Sequence, residues 1–257
     1  MRLRSNNPFL GSKAYSDSNT SLYNPDGSKV EIIDYNNTMT VNGAVTKTFM
    51  LFLLLLAGAG VTWYMAFTGQ NPIVLTIGGA IIGFILVIAA TFSPKNAPYL
   101  APAYALFEGL FIGGISAIFE VRYPGIVMQG VFGTLVTFAV CLALYRFGVV
   151  KVTEQFKSIV VASIFAIASY YLVSIALSFF GVSLFHQGNS LISIGFSIFV
   201  IVIAALSLFL DFDMIEKGAQ RRLPKHMEWF GAMGLIITLV WLYVEFLRLL
   251  SKLQSRN

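Results

Sequence analysis

SLFLDFDMIEKG (residues 207–218) and LVWLYVEFLRLL (residues 239–250) each set a carboxylate, Asp211 and Glu245, inside a run of apolar residues, and the basic segment QRRLPKH (220–226) lies between them. An ionisable side chain at the centre of a membrane helix costs roughly 2.5 to 3.5 kcal/mol on insertion scales, so such groups turn toward protein or water and often mark an ion or proton path. The rest of the chain decides whether these runs cross a membrane.

Hydrophobic residues make up 57% of the 257, charged residues 11%, and mean hydropathy is +0.77. These values lie outside the range of soluble domains. A helix crossing a hydrocarbon core of about 30 Å needs roughly 20 residues. Seven segments qualify: Val45 to Phe67, Pro72 to Phe92, Pro98 to Phe119, Ile126 to Phe147, Phe156 to Phe180, Ser190 to Leu210 and Glu228 to Leu250. The sequence therefore predicts an all-α integral membrane protein, a seven-transmembrane-helix bundle over 44–251. A polar tail precedes it (1–43), and a short tail follows (252–257).

Loops rich in Lys and Arg stay on the cytoplasmic side. Arg2, Arg4, Lys13, Lys29 and Lys47 precede the first span, Lys95 follows the second, Arg146, Lys151 and Lys157 surround the fourth connection, and Lys217, Arg221, Arg222 and Lys225 fill the sixth. TGQN and SLFHQGNS carry no Lys or Arg, and EVRYPG carries only Arg122. The expected orientation has the N-terminus cytoplasmic and the C-terminus external, with Arg248, Lys252 and Arg256 a discordant cluster; a last segment that does not fully cross is the alternative. The first 40 residues lack the apolar core of a signal peptide and read as a cytoplasmic tail in which VEIID (30–34) is at most a short strand.

The net charge of +5 lies in loops beside spans and forms no stripe or groove, so it reads as a topology signal and an attraction to anionic lipid, with no nucleic-acid partner. The single cysteine, Cys141, can form no intrachain disulfide. Short connections leave no room for a soluble catalytic domain. Gly114, Ile115, Ser116 and Ala117 are similar to the serine motif of intramembrane proteases, but a nucleophile needs a base within reach. His186 and His226 fall in connections on opposite sides. No H-E-x-x-H helix or phosphate-binding glycine loop occurs, so the chain reads as a non-enzyme without a resident cofactor.

Gly79 with Gly83, and Gly109 with Gly113, are spaced for close helix packing. In the sixth span Ser193, Ser197, Val200, Ala204, Ser207 and Asp211 share one face; in the seventh Gly231, Gly234, Thr238 and Glu245 do. These stripes are expected to face protein, with the serines bonding either across helices or back to their own. At about 1.5 Å per residue, Asp211 falls near the cytoplasmic end, with Asp213 and Glu216 wetted beyond it, and Glu245 near the outer end. Glu108 falls midway along the third span, where it needs a proton or a hydrogen-bond partner such as Tyr104. Paired carboxylates can share a proton and act as a pH switch that, once ionised, admits water and offers oxygen ligands to a hard cation such as calcium.

RSNNPF near the start, MTVNGAVTKT before the first span, ALFEGLFIGGIS in the third and MEWFGAMGLIITLVWLYVEFLRLL at the end resemble the bacterial branch of the Bax inhibitor-1/YccA family, the transmembrane Bax inhibitor motif proteins. The resemblance covers nearly the whole chain. It implies a bundle wrapped around its C-terminal helix, residence in the bacterial plasma (inner) membrane, and a pH-sensitive calcium leak governed by an acid pair on the last two helices. By motif, Asp211 and Glu245 take those two positions and become the calcium ligands. By position in the sequence Glu228 and Glu108 are alternative partners for Asp211, with Asp213 beside it, and the helix faces put Ser197, Ser207, Thr238 and Tyr104 in support. Some bacterial relatives are associated with a membrane-bound protease, which implies a second reading as a regulatory membrane protein recognising a partner through its tail.

Overall fold

The computed structural model describes residues 22–23, 29–30, 37–181 and 188–256. The chain divides into two units, residues 1–38 and 39–257. In the first, β1 (Leu22–Tyr23) pairs antiparallel with β2 (Lys29–Val30). Of the VEIID segment only Val30 lies among the described residues, in β2; His186 lies outside them.

The second unit is built from α1 (Val41–Phe67), α2 (Ile73–Phe92), α3 (Ala97–Arg122), α4 (Ile126–Arg146), α5 (Glu154–Ser178), α6 (Leu191–Gln220) and α7 (Met227–Gln254), with one turn of 3-10 helix at Pro94–Asn96. All seven are long and apolar enough to cross a membrane. Hydroxyl side chains start three of them: Thr40 accepts from the Gly43 N–H, Thr153 from Phe156 and Ser190 from Ser193. Gly125, with φ of 86°, turns the chain into α4, and the Glu120 carboxylate accepts from the N–H groups of Gly125 (2.7 Å) and Val127 (3.0 Å).

Two helix ends differ from the sequence expectation. α6 does not stop at Leu210 but continues to Gln220. Its acids are tied down along the way: Asp213 pairs with Lys217 one turn on at 2.8 Å and with Lys157 of α5 at 3.4 Å, and Tyr145 of α4 donates to Glu216. Asp213, expected to be wetted, is therefore buried and neutralised. α7 likewise runs through Lys252 to Gln254, so residues assigned to a tail belong to a helix, and Lys252 is buried.

α7 is the most enclosed element: 56% of its apolar window is buried, against 17% for α5. It packs on α1, α3, α4 and α6, while α2 lies on α3 and α5 on α6. Its inward side chains, among them Leu242, Leu247 and Ile236, link the packed clusters on its two sides. α1, α2 and α3 approach until backbones touch. A Cβ on Gly109 would lie 2.2 Å from the Leu55 carbonyl, one on Gly113 2.1 Å from that of Ala59, and one on Gly79 2.5 Å from that of Phe107. In lipid, where no hydrophobic force separates helix from solvent, such contact and the dispersion it brings hold helices together.

Gly113→Leu should lower stability in detergent by about 3 kcal/mol or more, the upper end for overpacking, because the atom in the way is backbone. Gly60→Ala, inside α1 where a Cβ meets nothing within 4 Å, should leave the thermal unfolding midpoint unchanged or raise it, because alanine favours the helix over glycine.

Candidate functional site

The candidate carboxylates Asp211, Glu245, Glu228 and Glu108 occupy four separate settings. On the face joining α6 to α7, Asp211 meets Thr238 and Gly234, a Cβ on the latter falling 3.7 Å from Oδ1. Its Oδ2 is buried and has no hydrogen-bond partner among the described residues, and no Lys or Arg pairs with it there. Gly234 and Thr238 lie roughly 10 to 16 Å along α7 from its start at about 1.5 Å per residue. Asp211 thus packs two to three turns along α7 from its start, and α6 continues past it to Gln220.

Nearer the C-terminal end of α7, Glu245 is almost fully buried and accepts from Arg248 Nη1 at 2.8 Å and from the Tyr171 hydroxyl of α5 at 3.1 Å. The same Nη1 also donates to the Tyr171 oxygen at 2.6 Å, with the guanidinium over the ring. One turn further, Lys252 Nζ donates to the Ser197 hydroxyl at 2.7 Å and the Ser193 carbonyl at 3.2 Å. Ser197, expected to support Asp211, therefore serves Lys252. Ser207 bonds back to the Ala204 carbonyl of its own helix. Glu245 lies seven residues beyond Thr238, about 10 Å along the helix at the usual rise. Asp211 and Glu245 are not brought together and cannot ligate one ion jointly. Among the described residues no three His, Cys, Asp or Glu side chains converge on a metal position.

Glu228, at the start of α7, is fully buried and reaches α1: its Oε1 accepts from the Thr40 N–H (3.0 Å) and hydroxyl (2.9 Å) and pairs with Lys225 at 2.8 Å. A Cβ on Gly43 would collide with the same carboxylate. The TVNG stretch is thus shaped around Glu228, which is an anchor for α1 and no partner of Asp211. Glu108 on α3 is half-buried against Gly83 of α2, a Cβ there falling 2.8 Å from Oε2. Tyr104 faces the same glycine, yet no hydrogen bond joins it to Glu108 among the described residues. Ser116 shares a 2.7 Å hydrogen bond with Tyr243 of α7. His226, just outside α7, is held below its ordinary range by partial burial and by the charge of Lys95.

Sequence reasoning missed Arg248 and Lys252, which were placed in or beside an external tail. The signal was present: Glu245, Arg248 and Lys252 follow at steps of three and four and so share a helix face.

These features define a multi-pass helical membrane protein whose central helix carries ionisable groups buried against its neighbours. Residues 7–255 match the model of the family described as Bax inhibitor 1 like. The chain belongs to that family. No curated protein matches it.

Arg248→Ala should cost about 3 to 5 kcal/mol, because it strands the Glu245 charge in a buried position. Adding Glu245→Gln should recover part of that loss in thermal unfolding of the purified protein. For His226, a lowered value means that the unfolded chain takes up a proton first. Stability should fall as pH drops below about 6.5 toward the folded value, and His226→Asn should remove that part of the slope.

Proposed function

We propose that this protein is a pH-gated cation leak of the bacterial plasma membrane, with its N-terminus cytoplasmic, calcium the permeant ion, and Asp211 the proton-sensitive group. The observation that carries this reading is Asp211 at the α6–α7 joint: its buried Oδ2 has no hydrogen-bond partner, as is true of one oxygen each of Glu228 and Glu245, but unlike them it has no basic partner among the described residues. The other acids are spoken for or differently placed. Asp213, Glu228 and Glu245 each have a basic partner, and Glu108 lies on the α2–α3 side.

The gate differs from an acid pair. Facing Asp211 is a hydroxyl, Thr238, so among the described residues the joint holds one carboxyl and no second negative charge to repel it. When protonated, that carboxyl can lie against Thr238 and the small Gly234 with little cost. When ionised, it needs water or a cation, because an unpaired charge in a low-dielectric interior is very unfavourable. Wetting the joint separates α6 from α7 and gives a hard cation oxygen ligands. The small and hydroxyl side chains at Ser207, Gly234 and Thr238 leave room for this.

Calcium flux into liposomes tests it. Flux should rise with pH along a slope of about one proton, the signature of an uncoupled site. Asp211→Asn should give a low, pH-independent flux, whereas Glu108→Gln should keep the slope. Thr238→Asp should broaden the titration into two steps, as coupled acids do. Unchanged rate and pH dependence in Asp211→Asn would overturn the mechanism.

A further inference from the structure

Where α3 and α7 end and α6 begins, a cavity of about 470 Å³ is lined by Arg122, Arg248 and Lys252 together with Ser251, Ser255 and Asn189. Its apolar wall is Ile118, Phe119 and Tyr123. Three cations thus meet in one concavity at one end of a membrane bundle. The acid beside them is Glu245, which pairs with Arg248. Glu120, two residues before Arg122, is turned to the N-terminus of α4, where two backbone N–H groups hold it. Positive charge is in excess at the cavity.

The donors are also held in place. A lysine ammonium has three N–H groups, and Lys252 gives two contacts to Ser193 and Ser197. Arg248 uses only Nη1 for Glu245 and Tyr171 among the described residues, so Nε and Nη2 remain for a ligand. Glu245 and Tyr171 therefore position Arg248 as a fixed fork, the geometry that suits a phosphate. Lys252 is only 6% exposed and pairs with no carboxylate among the described residues, and a buried ammonium is costly unless an anion compensates. Ile118 and Val121, on the same end of α3, are 56% and 71% exposed, so an apolar surface continues outward from the wall.

We propose that this cavity is a binding site for a phosphate-bearing anion, either the headgroup of an anionic phospholipid or a free phosphate group. The site is separate from the Asp211 joint and stands whatever ion crosses there. Arg122 and Lys252 supply charge from α3 and α7, Arg248 supplies the bidentate fork, Ser251 and Ser255 supply hydroxyls, and the Ile118 side receives an acyl chain when the ligand is a lipid.

The test uses the full-length protein in neutral detergent, titrated with dioctanoyl phosphatidic acid, dioctanoyl phosphatidylcholine and inorganic phosphate by thermophoresis. Phosphatidic acid should bind at least about tenfold more tightly than phosphatidylcholine, the scale of one hydrogen bond to a charged group. Arg122 is exposed, so Arg122→Gln leaves the packing intact; it should weaken phosphatidic acid binding by about tenfold on the same scale, and Lys252→Gln should weaken it further. Displacement of the lipid by millimolar phosphate would assign the site to a free phosphate group, and failure to displace it would assign the site to lipid. Either result upholds the site. Equal affinity for the two lipids, or unaltered affinity in Arg122→Gln, would overturn it.

Discussion

The interior of a bilayer contains no water to satisfy a stranded charge, and α7, the helix surrounded by the others, is the element that carries most of the charge inward. Glu228, Glu245 and Lys252 are all buried on it, and each fixes a different neighbour: Glu228 holds α1 through Thr40, Glu245 reaches α5 through Tyr171, and Lys252 grips α6 through Ser193 and Ser197. In hydrocarbon the alternative to each contact is an unsatisfied polar group. These bonds therefore set the rotation of α7, and that rotation decides what Asp211 of α6 faces.

The bundle divides its labour accordingly. α1, α2 and α3 are joined by glycines that let backbones touch, a contact with little freedom to open. The α6–α7 joint contains a carboxyl with a buried oxygen, a threonine and a glycine instead of interlocked backbone. A buried group with two protonation states can bias such a joint in two directions. An anion in the cavity at the far end of α7 would act on Arg248 and Lys252, the residues that hold that end in place.

Much of the architecture was readable before any coordinates. The seven apolar runs, the small-residue spacings of α3 and the buried polar faces of α6 and α7 all appear where the helical period puts them, since each depends on local sequence and a known bilayer thickness. The partner of each acid was not readable. Helix direction already set Asp211 and Glu245 toward opposite ends, against the pairing that the family resemblance implied, because antiparallel helices align residues by distance from their shared loop. Extension of α6 to Gln220 moved the register so that Thr238 met Asp211. The same extension of α7 turned Lys252 from a tail residue into a buried donor.

The sequence by itself determined that this chain forms apolar helices of membrane length, where they begin, and which of their faces avoid lipid, because hydropathy, capping and the 3.6-residue period are properties of short stretches. Only the tertiary structure decided which charge meets which partner. That outcome depends on helix register and rotation, and both are fixed by contacts between residues far apart in the chain, such as Thr40 with Glu228 and Ser197 with Lys252.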